Sequence, residues 1–369
     1  MRAPRSLETI LTVGITALST LSTLAVGILA VGQTGTAMQA GAGNDLLGAA
    51  AEVADRLDRD MFERWRDIRL VVDLQAVQGS DALRGTLETL KASIPEYAWI
   101  GLAGTDGRVI ASTDGLLEGV DVSSRPWYRA GSQAAFAGNV HEAELLAQKL
   151  PGTSGEPERF VDVAMPVARP DGVPIGVLGA HLSWSWAAGI ELSVLGEPRR
   201  GGAQALILDK AGTVIMGPKE IEGRTLELAA LRAGRQGAAR HFIETWPDGG
   251  RYLTAVAPTR GYDDYPGLGW VVLVRQDAGT AFAPLRRMQT VTGLTALAMA
   301  LLAAIGGRML AAWVARPLRG LVAAAAAISK GDAAAPVPHT RNFAEANRLG
   351  TALVGIAAQL RRRKGGGAS

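Results

Sequence analysis

The chain has 369 residues, room for two or three domains, and at 48% hydrophobic and 20% charged it can build a packed core. A net charge of +3 is too small for a nucleic-acid binder, and no long basic run with interleaved aromatics occurs. Without Cys there are no thiolate metal sites, disulfides or Cys nucleophile; the four His, at 141, 181, 241 and 339, lack zinc-ligand spacing such as HExxH, so no metal, cofactor or catalytic residue is expected.

From Thr9 to Val31 the chain carries no charge. That length suits a membrane crossing, which needs roughly 20 apolar residues, and exceeds the apolar stretch of a signal peptide, about 7–15 residues. An uncleaved anchor is therefore expected over residues 1–32. After the span, residues 45–74 read as a long helix, with apolar Leu46, Ala50, Ala54, Leu57, Met61, Trp65, Ile68 and Val72 at spacings of three and four. Glu52/Arg56, Asp55/Arg59 and Asp60/Arg64 are i,i+4 pairs with the acid first, the better order.

The segment Ala98–Ser112, AWIGLAGTDGRVIAS, reads as strand, Gly/Asp turn, strand. About a hundred residues later Ala203–Gly217 repeats it, with Gly107 matching Gly212. A second pair also recurs: Arg159–Ser183 is echoed by Arg251–Arg275, with Pro166 and Pro258 in like places. Self-similarity in this order predicts two copies of one α+β module, each an antiparallel sheet with helices on it. Between the first strands and the second lies VDVSSRPWYRAG, Val120–Gly131, where Arg, Trp and Tyr fall within four positions of a chain that is only 5% aromatic. Such a cluster is either core with an arginine at the rim or one wall of a pocket for an anion.

A second charge-free run spans Met288–Gly307 and again fits one crossing, a buried Ala-rich core helix being the alternative. Arg2 and Arg5 precede the first span, and Arg308, Arg316 and Arg319 follow the second, which places both termini in the cytoplasm and residues 33–287 outside; Arg286 and Arg287 run against this rule. After the second span, Pro317 is expected to restart the helix, and Leu318, Leu321, Ala325 and Ile328 form a heptad-like seam. Gly331-Asp332 stops it, and a further helix carries Leu349, Leu353, Ile356 and Leu360 on one face. The basic run Arg361–Lys364 is expected in solvent near anionic lipid.

A long helix after a first span, two PAS-like modules and a second span resemble the double Cache sensors of bacterial receptors, over residues 33–287. RPWY at 125–128 matches the Arg-x-Trp-Tyr motif that many of these sensors carry in the membrane-distal module; the motif has no counterpart in the second copy, where EGRTLELAALRAG, Glu222–Gly234, runs through the corresponding region. The resemblance implies that Arg125 holds a ligand carboxylate and that Trp127 and Tyr128 shape the cavity, consistent with the bidentate grip of guanidinium on carboxylate. Ser112 and His181 join them as candidate ligand contacts. Amino-acid-binding members carry an Asp where this chain has His181, and a Tyr where it has Val120, so a small carboxylate without an amine is the expected ligand. The two cytoplasmic heptad segments resemble a HAMP relay, with Pro317 and Glu345 matching its marks, which implies a homodimer.

The expected fold class is thus α+β: two PAS-like (Cache) modules on a long N-terminal helix, flanked by two transmembrane helices and a HAMP-like coiled coil. The expected domains are a cytoplasmic tip and first span, 1–32; a periplasmic sensor, 33–287, with its distal module at about 76–195 and its proximal module at about 196–287; a second span, 288–312; a HAMP-like relay, 313–364; and a flexible tail, 365–369. The function expected is that of an inner-membrane sensor which is not an enzyme, signalling either to a separate cytoplasmic effector or, as the front part of a longer histidine kinase or chemoreceptor, to an output domain. A membrane-anchored periplasmic enzyme using Glu142, Glu144, Asp162, His141 and His181 is the rival of a different class; a structural anchor or transporter accessory is a third.

Overall fold

The computed structural model describes residues 7–78, 80–142, 159–196, 200–339 and 342–365. Arg2, Arg5 and Glu144 lie outside the described residues. The chain divides into two compact units, one of residues 38–283 and one made of 1–37 with 284–369.

Helix α1 (Leu7–Gln78) runs unbroken from the apolar N-terminal stretch into the region read as a long helix. Its predicted stripe is the one it buries: Ala50, Leu57, Met61 and Ile68 are fully covered, and Leu46, Ala54 and Trp65 nearly so. The pairs Glu52–Arg56 and Asp55–Arg59 form at 2.6 and 2.8 Å. The third pair does not: Arg64 turns to Asp67 instead, at 3.3 Å. The buried Tyr97 hydroxyl lies 3.4 Å from both Asp67 Oδ2 and the Arg64 carbonyl, which share its one proton.

The stripe packs on two five-stranded antiparallel sheets of identical topology. The first contains β1 (Tyr97–Gly104), β2 (Val109–Ser112), β3 (Phe136–Glu142), β4 (Arg159–Ala168) and β5 (Pro174–Ser183), in the order β2-β1-β5-β4-β3. The second contains β6 (Gln204–Leu208), β7 (Val214–Met216), β8 (Arg240–Thr245), β9 (Arg251–Pro258) and β10 (Val271–Asp277), in the order β7-β6-β10-β9-β8. The sequence repeat is thus a structural repeat. Gly107 and Gly212 occupy the same turn at φ +80° and +86°, a left-handed conformation that glycine adopts without a Cβ penalty.

Alternation along each strand sends one set of side chains to the helix α1 side and the other to the opposite face. On β4, Val161, Val163 and Met165 join the α1 core, while Phe160 and Ala164 join the opposite one. That opposite face is covered in the first module by α3 (Pro126–Gly131), and in the second by α5 (Ala229–Arg235). Before α3 in sequence, α2 (Ser80–Ser93) adds to the first module, and between α3 and α5, α4 (Trp186–Leu195) leads to the second. The modules touch through Trp184, which stacks edge-on Trp270 at 4.9 Å, and through Arg159, which donates to the Ile215 carbonyl at 2.8 Å.

One buried acid on α1 carries a pH signature. Asp58 accepts the Arg260 backbone N–H at 2.7 Å, yet burial pushes its carboxyl above the usual range, more than that hydrogen bond and the Gly261 amide pull it down. A folded-state pKa raised above the unfolded one favours folding at acid pH, and that contribution is lost as pH rises through it. Asp58→Asn keeps an acceptor and removes the charge. We expect it to melt above wild type at pH 7 and to lose that advantage below about pH 4, where the unfolded acid is itself protonated; equal melting at both pH values would count against the burial penalty.

In the other unit, after the short α6 (Ala278–Ala281), α7 (Ala283–Ser329) is one continuous helix, so Pro317 does not restart it. A proline inside a helix leaves the carbonyl four residues back without its donor. Here that carbonyl, of Trp313, accepts the Asn342 side-chain amide at 3.2 Å, which replaces the missing bond. Among the described residues, two helices are long and apolar enough to cross a membrane, α1 through Thr9–Leu29 and α7. The C-terminal α8 (Ala344–Gly365) folds back on the end of α7. Leu321 and Ile328 are buried there with Leu353 and Ala357 of the same chain, whereas Leu349 and Ile356 stay about half exposed. The predicted seams therefore divide: one part closes within the chain and the other is left open. Glu345 lies exposed in the first turn of α8.

Candidate functional site

The site lies on the first module's sheet face beneath α3. The ladder register sets its polar rung. His181 on β5 is directly opposite Trp99 on β1 and Asp162 on β4. Strand β3 borders β4 and brings His141 alongside after a register shift between Gly138 and His141. The result is a buried acid between two imidazoles: His181 Nδ1 is 2.5 Å from Asp162 Oδ1, and His141 Nε2 is 3.5 Å from Asp162 Oδ2. Asp162 is 4% exposed and His181 7%. Aromatic rings surround His181, with Trp99 at 5.3 Å, Trp127 at 6.0 Å and Phe160 at 6.2 Å. A carboxylate offers about four acceptor sites. Among the described residues, only the His181 contact is a hydrogen bond to Asp162.

Helix α3 supplies the predicted motif. Arg125 is its N-cap residue, half-buried, and among the described residues its guanidinium has no hydrogen-bond or ion-pair partner. Trp127 is buried against Gly179 of β5, and its ring meets Trp99 at 5.8 Å. Tyr128 donates its hydroxyl to the Gly104 carbonyl at 2.7 Å. Burial, aided by the Asp106 carboxylate, pushes its phenol pKa up, so the group stays a neutral donor. Ser112 is fully buried and donates to the Leu116 carbonyl at 2.6 Å, while its own N–H goes to Glu118; it holds the turn after β2. The same turn contributes Leu116, whose carbonyl also accepts the Trp99 indole N–H at 3.1 Å. Val120 lies exposed on the loop before α3. The sequence made His181 a candidate ligand contact but gave Asp162 no role in ligand binding. The available signal was parity: Asp162 alternates with the apolar Phe160 and Ala164 and therefore faces inward with them.

The second module shows what the same framework looks like when closed. Glycines fix the equivalence: a Cβ on Gly131 would lie 2.7 Å from Val177 and 2.8 Å from Ala164, and one on Gly234 would lie 2.5 Å from Val256 and 2.6 Å from Val271. Pro166 pairs with Val177 as Pro258 pairs with Val271, so both helices sit on matching rungs. RPWYRAG therefore does have a counterpart, LAALRAG at 228–234. Arg125 is replaced by Leu228, Trp127 by Ala230 and Tyr128 by Leu231, all three buried in an apolar cluster. The polar rung becomes Gln204–Arg275–Thr254. Arg275 is satisfied by its own surroundings: it donates to Gln204 at 3.1 Å and Asp248 at 3.2 Å, between the rings of Trp246 and Tyr252 at 4.3 and 4.4 Å.

The profile of the Cache domain family matches residues 34–285. No curated protein matches the sequence. Among solved structures, the periplasmic sensory domain of the Campylobacter jejuni chemoreceptor Tlp1 aligns with TM-score 0.51 at 14% identity, over 67% of this chain and 99% of that one. The sensory domain of the Campylobacter jejuni chemoreceptor Tlp3, solved with isoleucine bound, aligns with TM-score 0.50 at 12% identity, over 67% and 96%. An extracellular ligand-binding receptor from Desulfohalobium retbaense aligns at 14% identity and TM-score 0.47 over 63% of this chain, which spans only 39% of that receptor. With the profile covering well over half of the chain and two modules of one topology behind it, this protein belongs to the Cache domain family, in its double form.

Proposed function

We propose that the protein is a transmembrane sensor whose first module captures a small extracytoplasmic ligand bearing a carboxylate. The observation that supports this most is the contrast between matching rungs. The second module fills its face with Leu228, Ala230 and Leu231 and satisfies Arg275 internally, whereas the first leaves the Arg125 guanidinium without a protein partner among the described residues and gives the Asp162 carboxylate one hydrogen bond, from His181, with His141 Nε2 at 3.5 Å. A buried acid with one hydrogen bond is costly to keep unless something else completes it, and the half-buried guanidinium of Arg125 is left available to an anion. Arg125 would grip the ligand's carboxylate in bidentate fashion, with Trp127 and Tyr128 as rigid walls.

Asp162 favours a second reading. It places a carboxylate on the rung where His181 had argued against an ammonium, so an amino acid is again a ligand to test. Thermal-shift screening of the full chain in lipid nanodiscs separates the two. Stabilisation by simple carboxylates supports the first reading, stabilisation by α-amino acids alone the second, and stabilisation by neither class counts against ligand capture at this face.

In this reading both termini are cytoplasmic and residues 33–287 are periplasmic. Strand β3 carries His141 to the site and, two residues before it, Asn139, which accepts the Trp270 indole N–H at 2.8 Å, so ligand-induced movement of β3 reaches the second module directly. The relay would end in a HAMP-like homodimer of α7 and α8. The apolar residues that one chain leaves open set the contact: Ile356→Cys should cross-link readily in membranes, and Ile328→Cys, 4% exposed within its own chain, should not. The native chain has no competing thiol. Efficient cross-linking at Ile328 with none at Ile356 would show that α8 packs on a neighbouring chain instead.

A further inference from the structure

We infer that His141, Asp162 and His181 form a binding site for a divalent transition metal of the zinc class. The inference rests on the first module being the ligand-binding one, and it names a cation that its buried acid accepts. Donor atoms of the three side chains all lie within 4.8 Å of one another. Ligands around a tetrahedral zinc ion at 2.0–2.2 Å from it stand roughly 3.3 Å apart. His181 Nδ1 and His141 Nε2 lie 2.5 and 3.5 Å from the two different oxygens of Asp162, so side-chain shifts of about 1 Å admit an ion that the carboxylate holds between the imidazoles.

Hydrogen bonding at His141 gives the cluster its direction. Its Nδ1 lies 3.1 Å from the Asn139 carbonyl oxygen. A carbonyl only accepts, so Nδ1 carries the proton, and in the neutral ring Nε2 presents a lone pair. In the neutral ring that lone pair faces Asp162 Oδ2 at 3.5 Å, acceptor to acceptor, an opposition that a second ring proton or a metal ion relieves. A cation between them turns this opposition into two bonds. Donation of the remote ring N–H to a backbone carbonyl is also how metal-bound imidazoles are oriented. At His181 the metal takes the place of the proton that Nδ1 donates to Asp162, and the ring carries its proton on Nε2 instead.

The donor set fixes the class of ion. Two imidazoles and one carboxylate suit zinc, cobalt or nickel, whereas magnesium and calcium take oxygen ligands. Three protein ligands leave a coordination position open. The carboxylate of a sensed molecule can fill it. His141, with its side chain 40% exposed, provides the approach. Sequence spacing hides the site because its members come from three neighbouring strands, β3, β4 and β5, joined only by the sheet.

The test uses the full chain in lipid nanodiscs, stripped with a chelator and titrated calorimetrically with Zn²⁺, then with Co²⁺ followed by its visible ligand-field spectrum. We expect one ion per chain and a cobalt spectrum typical of nitrogen and oxygen ligation. His141→Ala should weaken zinc binding at least about tenfold and abolish the cobalt bands. Because His141 sits at the exposed edge, that variant tests the site without opening the core. Asp162→Asn should act in the same direction, His339→Ala should bind as wild type, and Mg²⁺ should not compete. Arg125→Ala should keep zinc binding, so a lost metal site and a lost carboxylate site give different patterns. Failure of the wild-type chain to bind zinc stoichiometrically, or wild-type affinity in His141→Ala, overturns the inference.

Discussion

Arg125→Ala should abolish carboxylate binding and leave the fold intact. The guanidinium makes no bond to the described protein, so its removal breaks none of the contacts that hold α3 on the sheet. Those contacts are made by Trp127 against Gly179 and Trp99 and by Tyr128 on the Gly104 carbonyl. What is lost is the one group in the motif able to pair bidentately with a carboxylate. Truncating one member of such a charge pair costs about 2–5 kcal/mol, a loss of roughly 30-fold to several thousand-fold in affinity. Arg125→Lys should fall between the two, since a point charge keeps attraction but not the two-pronged geometry. The measurement is isothermal titration with the best carboxylate from the thermal-shift screen, alongside a melting curve. Wild-type affinity in Arg125→Ala would sink the assignment, and so would a melting temperature lowered as far as that of a core variant, because Arg125 would then be structural.

The repeat and the stripe of α1 were legible in the sequence because each rests on a local period. Leu46, Ala50, Ala54, Leu57, Met61, Trp65 and Ile68 announce a buried face at spacings of three and four, and the paired turns at Gly107 and Gly212 announce equivalent hairpins. Pro317 was misread because the bond that repairs the helix comes from Asn342, 25 positions away and invisible to any local rule. The seams around Ile328 and Leu353 looked like two halves of a dimer because a heptad pattern does not say which helix covers it; here α7 and α8 cover each other in part. Within the site, the motif 125–128 was found and its counterpart was not. The two share only Arg-Ala-Gly at 129–131 and 232–234, and the equivalence emerges once Gly131 and Gly234 are seen over matching rungs. Asp162 and His181, 19 residues apart, meet only through the hairpin register.

His181→Asp should destabilise the chain rather than create an ammonium site. Considered from sequence alone, the substitution restores the acid of amino-acid-binding relatives and should gain affinity for an amino acid. The structure changes the sign of that expectation, since the position directly across the ladder already holds a carboxylate. The swap removes the only hydrogen bond that Asp162 receives among the described residues and sets a second acid beside it, in a box of Trp99, Trp127 and Phe160. Breaking a buried pair so that one charge is left uncompensated costs about 3–5 kcal/mol. That is a large share of the 5–15 kcal/mol by which a domain is ordinarily stable. His181→Asn keeps an N–H donor for Asp162 and should melt between wild type and the Asp variant. Asp162→Asn combined with His181→Asp leaves one acid on the rung and should recover much of the loss, with the carboxylate moved from β4 to β5. Melting curves of the three variants read the pairing directly. If His181→Asp melts with wild type and binds an amino acid that wild type ignores, then Asp162 does not face position 181 in solution, and the rung on which both the ligand and the metal readings depend is wrong.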